Sequence, residues 1–238
     1  DDIKKQFHHL LKIIPQDGNI IYFQEDKNTL DILNKGNWSQ LIPIGTNHSY
    51  DIDYKNNLIL AQDTEFSMKD FIIFGSHNAK NVISAIAATN VNGASIEESI
   101  NALKSFQGVK RRLELKYQDS SIIIIDDFAH HPTAIKYSID AVRKKFKDSK
   151  IIGLIELGSN TMSDGIHGDS LVKAASDLDS VIWIDEKGVL LESSNTTFAS
   201  DTLCINALKK DLKKYDILLI MTNKNSERLW KPIIEYIQ

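Results

Sequence analysis

Short runs of β-branched and aliphatic residues, several followed by a stretch with helical spacing, constrain this chain more than any other feature. Ile20-Ile21-Tyr22-Phe23, Phe71-Ile72-Ile73-Phe74, Ile122-Ile123-Ile124-Ile125, Ile151-Ile152-Gly153-Leu154-Ile155, Val181-Ile182-Trp183-Ile184 and Ile217-Leu218-Leu219-Ile220-Met221 have the length and branching of strands buried on both faces. Asn78 to Asn92 places Val82, Ile83, Ile86 and Ala87 on one helical face. Thr133 to Phe146 does the same with Ile135, Ile139, Val142 and Phe146. Gly93 closes the first pattern, and Ser95-Ile96-Glu97-Glu98 is a helix-start signal. Alternation at this spacing predicts an α/β fold with a largely parallel sheet.

Two places break the pattern. Asp51 to Asp70, with Asn56-Asn57 between Asp51-Ile52-Asp53-Tyr54 and Leu58-Ile59-Leu60, reads as a polar hairpin or edge-strand excursion. Near Gly108 a helix stops and Val109 to Tyr117 begins a new extended segment, after which four strand–helix units run to the C-terminus. The 238 residues suit one large or two modest domains, and the boundary is placed between 107 and 108, giving regions 1–107 and 108–238. The chain opens on Asp1 rather than Met, from which a fragment or a processed chain is expected.

Charge and cysteine usage narrow the function classes. A formal net charge of -4 gives no electrostatic basis for a nucleic-acid partner. Lys209, Lys210, Lys213 and Lys214 read as one solvated helix face. The single cysteine, Cys204, lies in Leu203-Cys204-Ile205; it excludes a disulfide framework and reads as a small buried apolar residue. No stretch approaches the roughly 20 apolar residues of a membrane span, and no signal-peptide pattern is present, so a cytoplasmic protein without a membrane partner is expected.

Several segments carry residue types suited to chemistry. Ile122 to Ile125 runs into Asp126-Asp127-Phe128-Ala129-His130-His131-Pro132-Thr133, where a buried strand ends in two carboxylates and two histidines before a proline that can open a helix. Ligands of parallel α/β sheets collect at such strand ends. Either carboxylate could accept from a ribose, or merely satisfy loop amides. The histidine spacing matches no standard zinc pattern, so no metal site is expected there. In Gly75-Ser76-His77-Asn78-Ala79-Lys80-Asn81, Asn78 and Asn81 share a face of a first helical turn; their amides suit an adenine edge, or Asn78 simply caps the helix. Lys110-Arg111-Arg112 at the boundary suits phosphate and ribose oxygens, or is a solvated linker. Ser159-Asn160-Thr161, after the strand ending near Glu156, could line a substrate pocket or form a helix-capping turn. His8-His9, flanked by Phe7, Leu10 and Leu11, read as packing residues of a helix. Nowhere does Gly-Lys occur, so the chain holds no Gly-x-x-x-x-Gly-Lys-Ser/Thr phosphate loop.

Taken in order, these strings resemble the Mur ligase family. The likeness rests on His77-Asn78-Ala79-Lys80-Asn81, Gly108-Val109-Lys110-Arg111-Arg112, Asp126 to Ala134 as Asp-Asp-Phe-Ala-His-His-Pro-Thr-Ala, and Ser159-Asn160-Thr161-Met162. Phe128-Ala129 and Ser159 to Met162, with Gln6 to Leu10 and Gly36-Asn37-Trp38-Ser39, resemble the branch that acts on murein peptide rather than the branch that adds L-alanine. The resemblance implies that residues 1–107 are the rear part of a central ATPase domain and 108–238 a Rossmann-like C-terminal domain. It implies an ATP-dependent amide ligase, using Mg²⁺ held by residues outside this chain, that joins UDP-N-acetylmuramate to L-Ala-γ-D-Glu-meso-diaminopimelate. Asn78, Asn81, Arg112 and Asp127 would then bind nucleotide, and His130, His131, Ser159, Asn160 and Thr161 would face the substrates. An L-alanine ligase, or a degenerate module that only binds nucleotide or peptide, are the other readings the strings leave open. Two departures stand out: Leu157-Gly158 replaces the family's Pro-Arg, and Met221-Thr222-Asn223-Lys224-Asn225 lacks its Gly-Gly pair.

Overall fold

The structure, a computed structural model, describes residues 2–190 and 196–238, without the side chain of Asp70. The chain divides into two compact units, Asp1–Gln107 and Gly108–Gln238.

In the first unit, α1 (Asp2–Ile13) leads to β1 (Asn19–Phe23), α2 (Lys27–Leu33) and β2 (Gln40–Ile44), and β1 pairs with β2 in parallel. Asp26 caps α2, its carboxylate accepting from the Asn28 and Thr29 amides. Three short strands follow, β3 (Tyr50–Asp53), β4 (Leu58–Ala61) and β5 (Thr64–Ser67), in an antiparallel meander. Its apolar residues are core: Tyr50, Ile52, Ile59 and Ala61 pack with Val82, Ile83, Ile86 and Ala87 of α3 (Ser76–Val91). The polar excursion expected over 51–70 is therefore a three-stranded sheet with one buried face. α4 (Ile96–Ser105) starts in a full capping box, Ser95 and Glu98 each satisfying the other's backbone amide.

Two expectations fail here. Phe71 to Phe74 is not a strand: Ser67 caps a 3-10 turn at Met68–Asp70, and Phe71 ends that turn and packs edge-on against Phe66. The Phe74 carbonyl then accepts from Asn78 Nδ2 in the first turn of α3. Nor do His8 and His9 pack in a core. α1 buries none of its residues, leaving Ile3, Phe7, Leu10 and Ile13 exposed.

The second unit is a six-stranded sheet in the order β10-β9-β8-β11-β7-β6, parallel throughout except at its β6 edge. Its elements are β6 (Glu114–Gln118), β7 (Ile123–Asp127), α5 (Pro132–Lys145), β8 (Ile151–Glu156), α6 (Asn160–Ser163), α7 (Gly168–Ala174), β9 (Ser180–Ile184), β10 (Thr197–Phe198), α8 (Asp201–Asp211), β11 (Ile217–Met221) and α9 (Glu227–Ile237). β8 and β11 are buried along their whole length, as their apolar composition requires of strands covered on both faces. Each such aliphatic side chain contributes about 1.5–3 kcal/mol by leaving water.

Two predictions arise from this packing. Cys204 on α8 is fully buried beside Ile205 and Leu208, and burial pushes its thiol up to about 12. A thiol reagent at pH 8 should label it only as the chain unfolds; rapid labelling of the folded chain would contradict this packing. Asp119 precedes β7 in a turn, accepting from the Ser121 and Tyr117 hydroxyls and from the Ser121 and Ile122 amides. Those bonds hold its carboxyl well below the usual range. A depressed folded pKa stabilises above the unfolded value, about 3.9, and that benefit fades as pH falls through the folded value. Asp119→Ala should therefore lower Tm at pH 7 more than at pH 2, measured by thermal unfolding at both.

Candidate functional site

In the first unit, the head of α3 carries the candidate adenine-facing amides. Gly75 caps the helix at φ +93°, a backbone conformation side chains disfavour. Asn78 is therefore not the cap. It is buried, and its Nδ2 donates to the Phe74 carbonyl at 2.8 Å. Asn81 is exposed one turn on and donates to Asn78 Oδ1 at 3.4 Å. The pair is thus a held amide supporting a presented one. A cavity of about 430 Å³ also lies in this unit, between α1 and α2, and none of the expected site residues lines it.

In the second unit, the chemistry sits where the sheet's carboxyl ends converge. β7 ends in Asp126 and Asp127. Asp127 is 3% exposed and turns inward: Oδ2 accepts from the Leu113 amide at 2.8 Å, and Oδ1 from the Ala129 amide at 2.8 Å and the Ser138 hydroxyl at 3.1 Å. Burial raises its carboxyl above the usual range despite those bonds. Three donors thus occupy the carboxylate, two on Oδ1 and one on Oδ2. Asp126 is fully buried, accepts from Ser226 Oγ at 2.6 Å, and faces Arg111 Nε at 3.7 Å.

Arg111 and Arg112 differ in role. Arg111 sits at φ +60°, its amide donating to Glu114 and its guanidinium to the Thr222 carbonyl at 2.5 Å. It is a bracket between β6, β7 and β11. Arg112 is exposed, with its guanidinium 5.5 Å from the Phe128 ring. His130 bonds the Phe128 carbonyl through Nδ1 at 2.8 Å and stacks edge-on against Phe128. His131 caps α5 and contacts His167. Ser159 Oγ caps α6 and reaches the His130 carbonyl at 3.5 Å, so β7 and β8 bring these two segments together, with Asn160 and Thr161 exposed beside them.

The sequence reading missed a charged cluster. Glu156, at the end of β8, is 1% exposed. Its Oε2 accepts from Thr222 Oγ1 and from Arg228 Nη2, each at 2.5 Å, and Lys224 Nζ stands 3.1 Å from Oε1. Arg228 also pairs with Asp201, and Lys224 with Glu186 at 3.2 Å. A carboxylate closing an otherwise apolar strand, with Lys224 and Arg228 four positions apart after the buried strand β11, was the available signal. Gly158 belongs to the same place: a methyl group there would collide with Asn223 Oδ1 and press on Lys224 Cγ. Among the described residues, no group of three or more His, Cys, Asp or Glu is arranged to hold a metal ion.

Residues 111–223 match the family model described as Mur ligase, glutamate ligase domain, and the second unit is a Mur ligase C-terminal domain. More particularly, the chain is 33% identical over 193 residues to a UDP-N-acetylmuramate–L-alanyl-γ-D-glutamyl-meso-2,6-diaminoheptandioate ligase of Haemophilus influenzae, covering 77% of this chain and 43% of that protein. The crystal structure of a murein peptide ligase from Psychrobacter arcticus superposes with a TM-score of 0.70 at 30% identity, covering 99% of this chain and 54% of that one. A UDP-N-acetylmuramate–L-alanine ligase of Clostridium botulinum is 35% identical over 154 residues, 60% of this chain and 33% of its own length. The chain thus spans less than half of either curated relative.

Proposed function

We propose that this chain belongs to an ATP-dependent ligase that joins UDP-N-acetylmuramate to L-Ala-γ-D-Glu-meso-diaminopimelate, acting in peptidoglycan recycling. The observation that carries the reading is the loop leaving β7, Asp126 to Ala134, held against Ser159 at the sheet's carboxyl end. The likeness to peptide-joining ligases over 193 residues adds to it.

In this reading the muramyl carboxylate attacks the γ-phosphorus of ATP, giving an acyl phosphate and ADP. The amine of the tripeptide then attacks the acyl carbon, phosphate leaves, and the amine gives up its proton. Both steps depend on positioning and charge neutralisation. Mg²⁺ would neutralise phosphate charge when bound, from ligands outside this chain. Asn81, kept in place by Asn78, offers its amide to adenine. Arg112 meets nucleotide oxygens, and Asp127 holds the loop that presents them. His130 and His131 orient the loop beside the substrates, while Ser159, Asn160 and Thr161 line the acceptor side.

Incubated alone with ATP, Mg²⁺, UDP-N-acetylmuramate and tripeptide, these 238 residues should release no phosphate above background, because they hold no phosphate loop to stabilise the transferring group. Turnover that copurifies with the chain would overturn this. In the complete ligase, ADP release should depend on tripeptide. Dependence on L-alanine instead would favour the second reading, which the Clostridium botulinum similarity supports. No dependence on either would leave a binding module.

A further inference from the structure

We propose that Lys224 is a specificity-determining residue that binds a carboxylate of the acceptor peptide. The inference rests on the peptide-ligase reading above and names the group that would select the peptide.

Glu156 has a second charged partner, Arg228, besides Lys224. Its buried carboxylate takes a charged hydrogen bond from Arg228 and a second from Thr222, both on Oε2. Lys224 approaches the other oxygen, and its side chain is 38% exposed where that of Glu156 is 1% exposed. The cation therefore stands over the buried acid and faces outward. Its second partner, Glu186, has a side chain 60% exposed, and such a surface pair is weak and exchangeable. A carboxylate arriving from solution can take the place of Glu186 without uncovering a buried charge. Burial pulls Lys224 down, but its bonds to Glu156 and Glu186 outweigh that and hold it above the usual lysine value, so it is charged at neutral pH.

The neighbouring positions explain why the cation comes from Lys224. Gly158, on the segment leading into Ser159, Asn160 and Thr161, has no room for a side chain, because Asn223 occupies the space and the Lys224 stem lies alongside. Among the described residues around Gly158, the ammonium facing outward is that of Lys224. It is anchored from below by Glu156 and set at the end of β11, next to the end of β8.

Steady-state kinetics of the complete ligase test this, with KM measured separately for tripeptide and ATP. Lys224→Ala should raise KM for tripeptide roughly 10- to 100-fold, the loss expected of one charged hydrogen bond, and leave KM for ATP within about twofold. Lys224→Arg should recover most of the loss. Tripeptides amidated at one carboxylate at a time identify the group: the amide that penalises the wild type should make no difference to Lys224→Ala. An unchanged KM for tripeptide in Lys224→Ala overturns the proposal. So does a joint rise in both KM values with a lowered Tm that arginine does not recover, since that marks a purely structural role. If the wild type shows no tripeptide-dependent turnover, the peptide-ligase reading itself fails, and this inference with it.

Discussion

Asp127→Ala should destabilise the second unit by about 3 kcal/mol, since each buried donor left without an acceptor costs roughly 1–3 kcal/mol. The Leu113 and Ala129 amides lose their acceptor at once, while the Ser138 hydroxyl keeps only the Ala134 carbonyl. At roughly 3–5 °C per kcal/mol for a unit of this size, thermal unfolding of the variant should begin at least about 10 °C lower. Asp127→Asn should not recover the loss. Each carboxylate oxygen receives a backbone N–H, so an amide must turn its own NH₂ toward one of them. The sign of the pH dependence follows from burial, which raises the folded carboxyl above its ordinary value. Such a group favours folding most below the unfolded pKa of about 3.9, and the benefit is lost as pH rises through the folded value. The gap between Asp127→Asn and wild type should therefore be smaller at pH 7 than a carboxylate with a depressed pKa would give. A melting temperature within about 2 °C of wild type for Asp127→Ala would show that the loop holds itself without this brace.

The second large effect concerns trypsin. Lys110, Arg111 and Arg112 offer three adjacent cleavage points, yet they differ in freedom. Arg111 is tied by its amide to Glu114, by its carbonyl to the Phe128 amide and by its guanidinium to Thr222. Leu113 is tied to Asp127. Proteases need several residues in extended form, so these bonds must open before the chain is cut after Arg111 or Arg112. The expected first cut in this segment falls after Lys110, with the bonds after Arg111 and Arg112 intact until the second unit unfolds. In Asp127→Ala, a loss of about 3 kcal/mol should speed cutting after Arg112 on the order of 100-fold, if opening precedes cleavage. N-terminal sequencing of the products decides it: a wild-type C-terminal piece beginning at Leu113 at early times would refute the bracing.

The sequence made some of this structure readable and hid the rest for identifiable reasons. Strands β7, β8, β9 and β11 announce themselves because both faces are buried and nearly every residue is aliphatic. β6 shows only as part of the extended segment read over 109–117, because Glu114-Leu115-Lys116-Tyr117 lies at the sheet's edge and keeps charges on it. Phe71 to Phe74 misleads because four apolar residues can line the approach to a helix as well as a strand. The candidate site divides the same way. Asp126 to Thr133 and Asn78 to Asn81 are contiguous strings, so their grouping needs no fold. Glu156 meets Thr222, Lys224 and Arg228 from 66 to 72 positions away, and only the adjacency of β8 and β11 unites them. Asp127 was visible as a carboxylate at a strand end, but the choice between ribose and loop amides depends on where Leu113 and Ser138 fall.

The contact between Gly158 and Asn223 also bears on descent. With Asn223 in place, any side chain at 158 collides with it, whereas a glycine at 158 leaves room for almost anything opposite. Substitutions at the two positions are therefore epistatic. A side chain at 158 requires the asparagine at 223 to turn away or be replaced. A side chain introduced at 158 alone should be disfavoured, and the two positions should be retained or exchanged together.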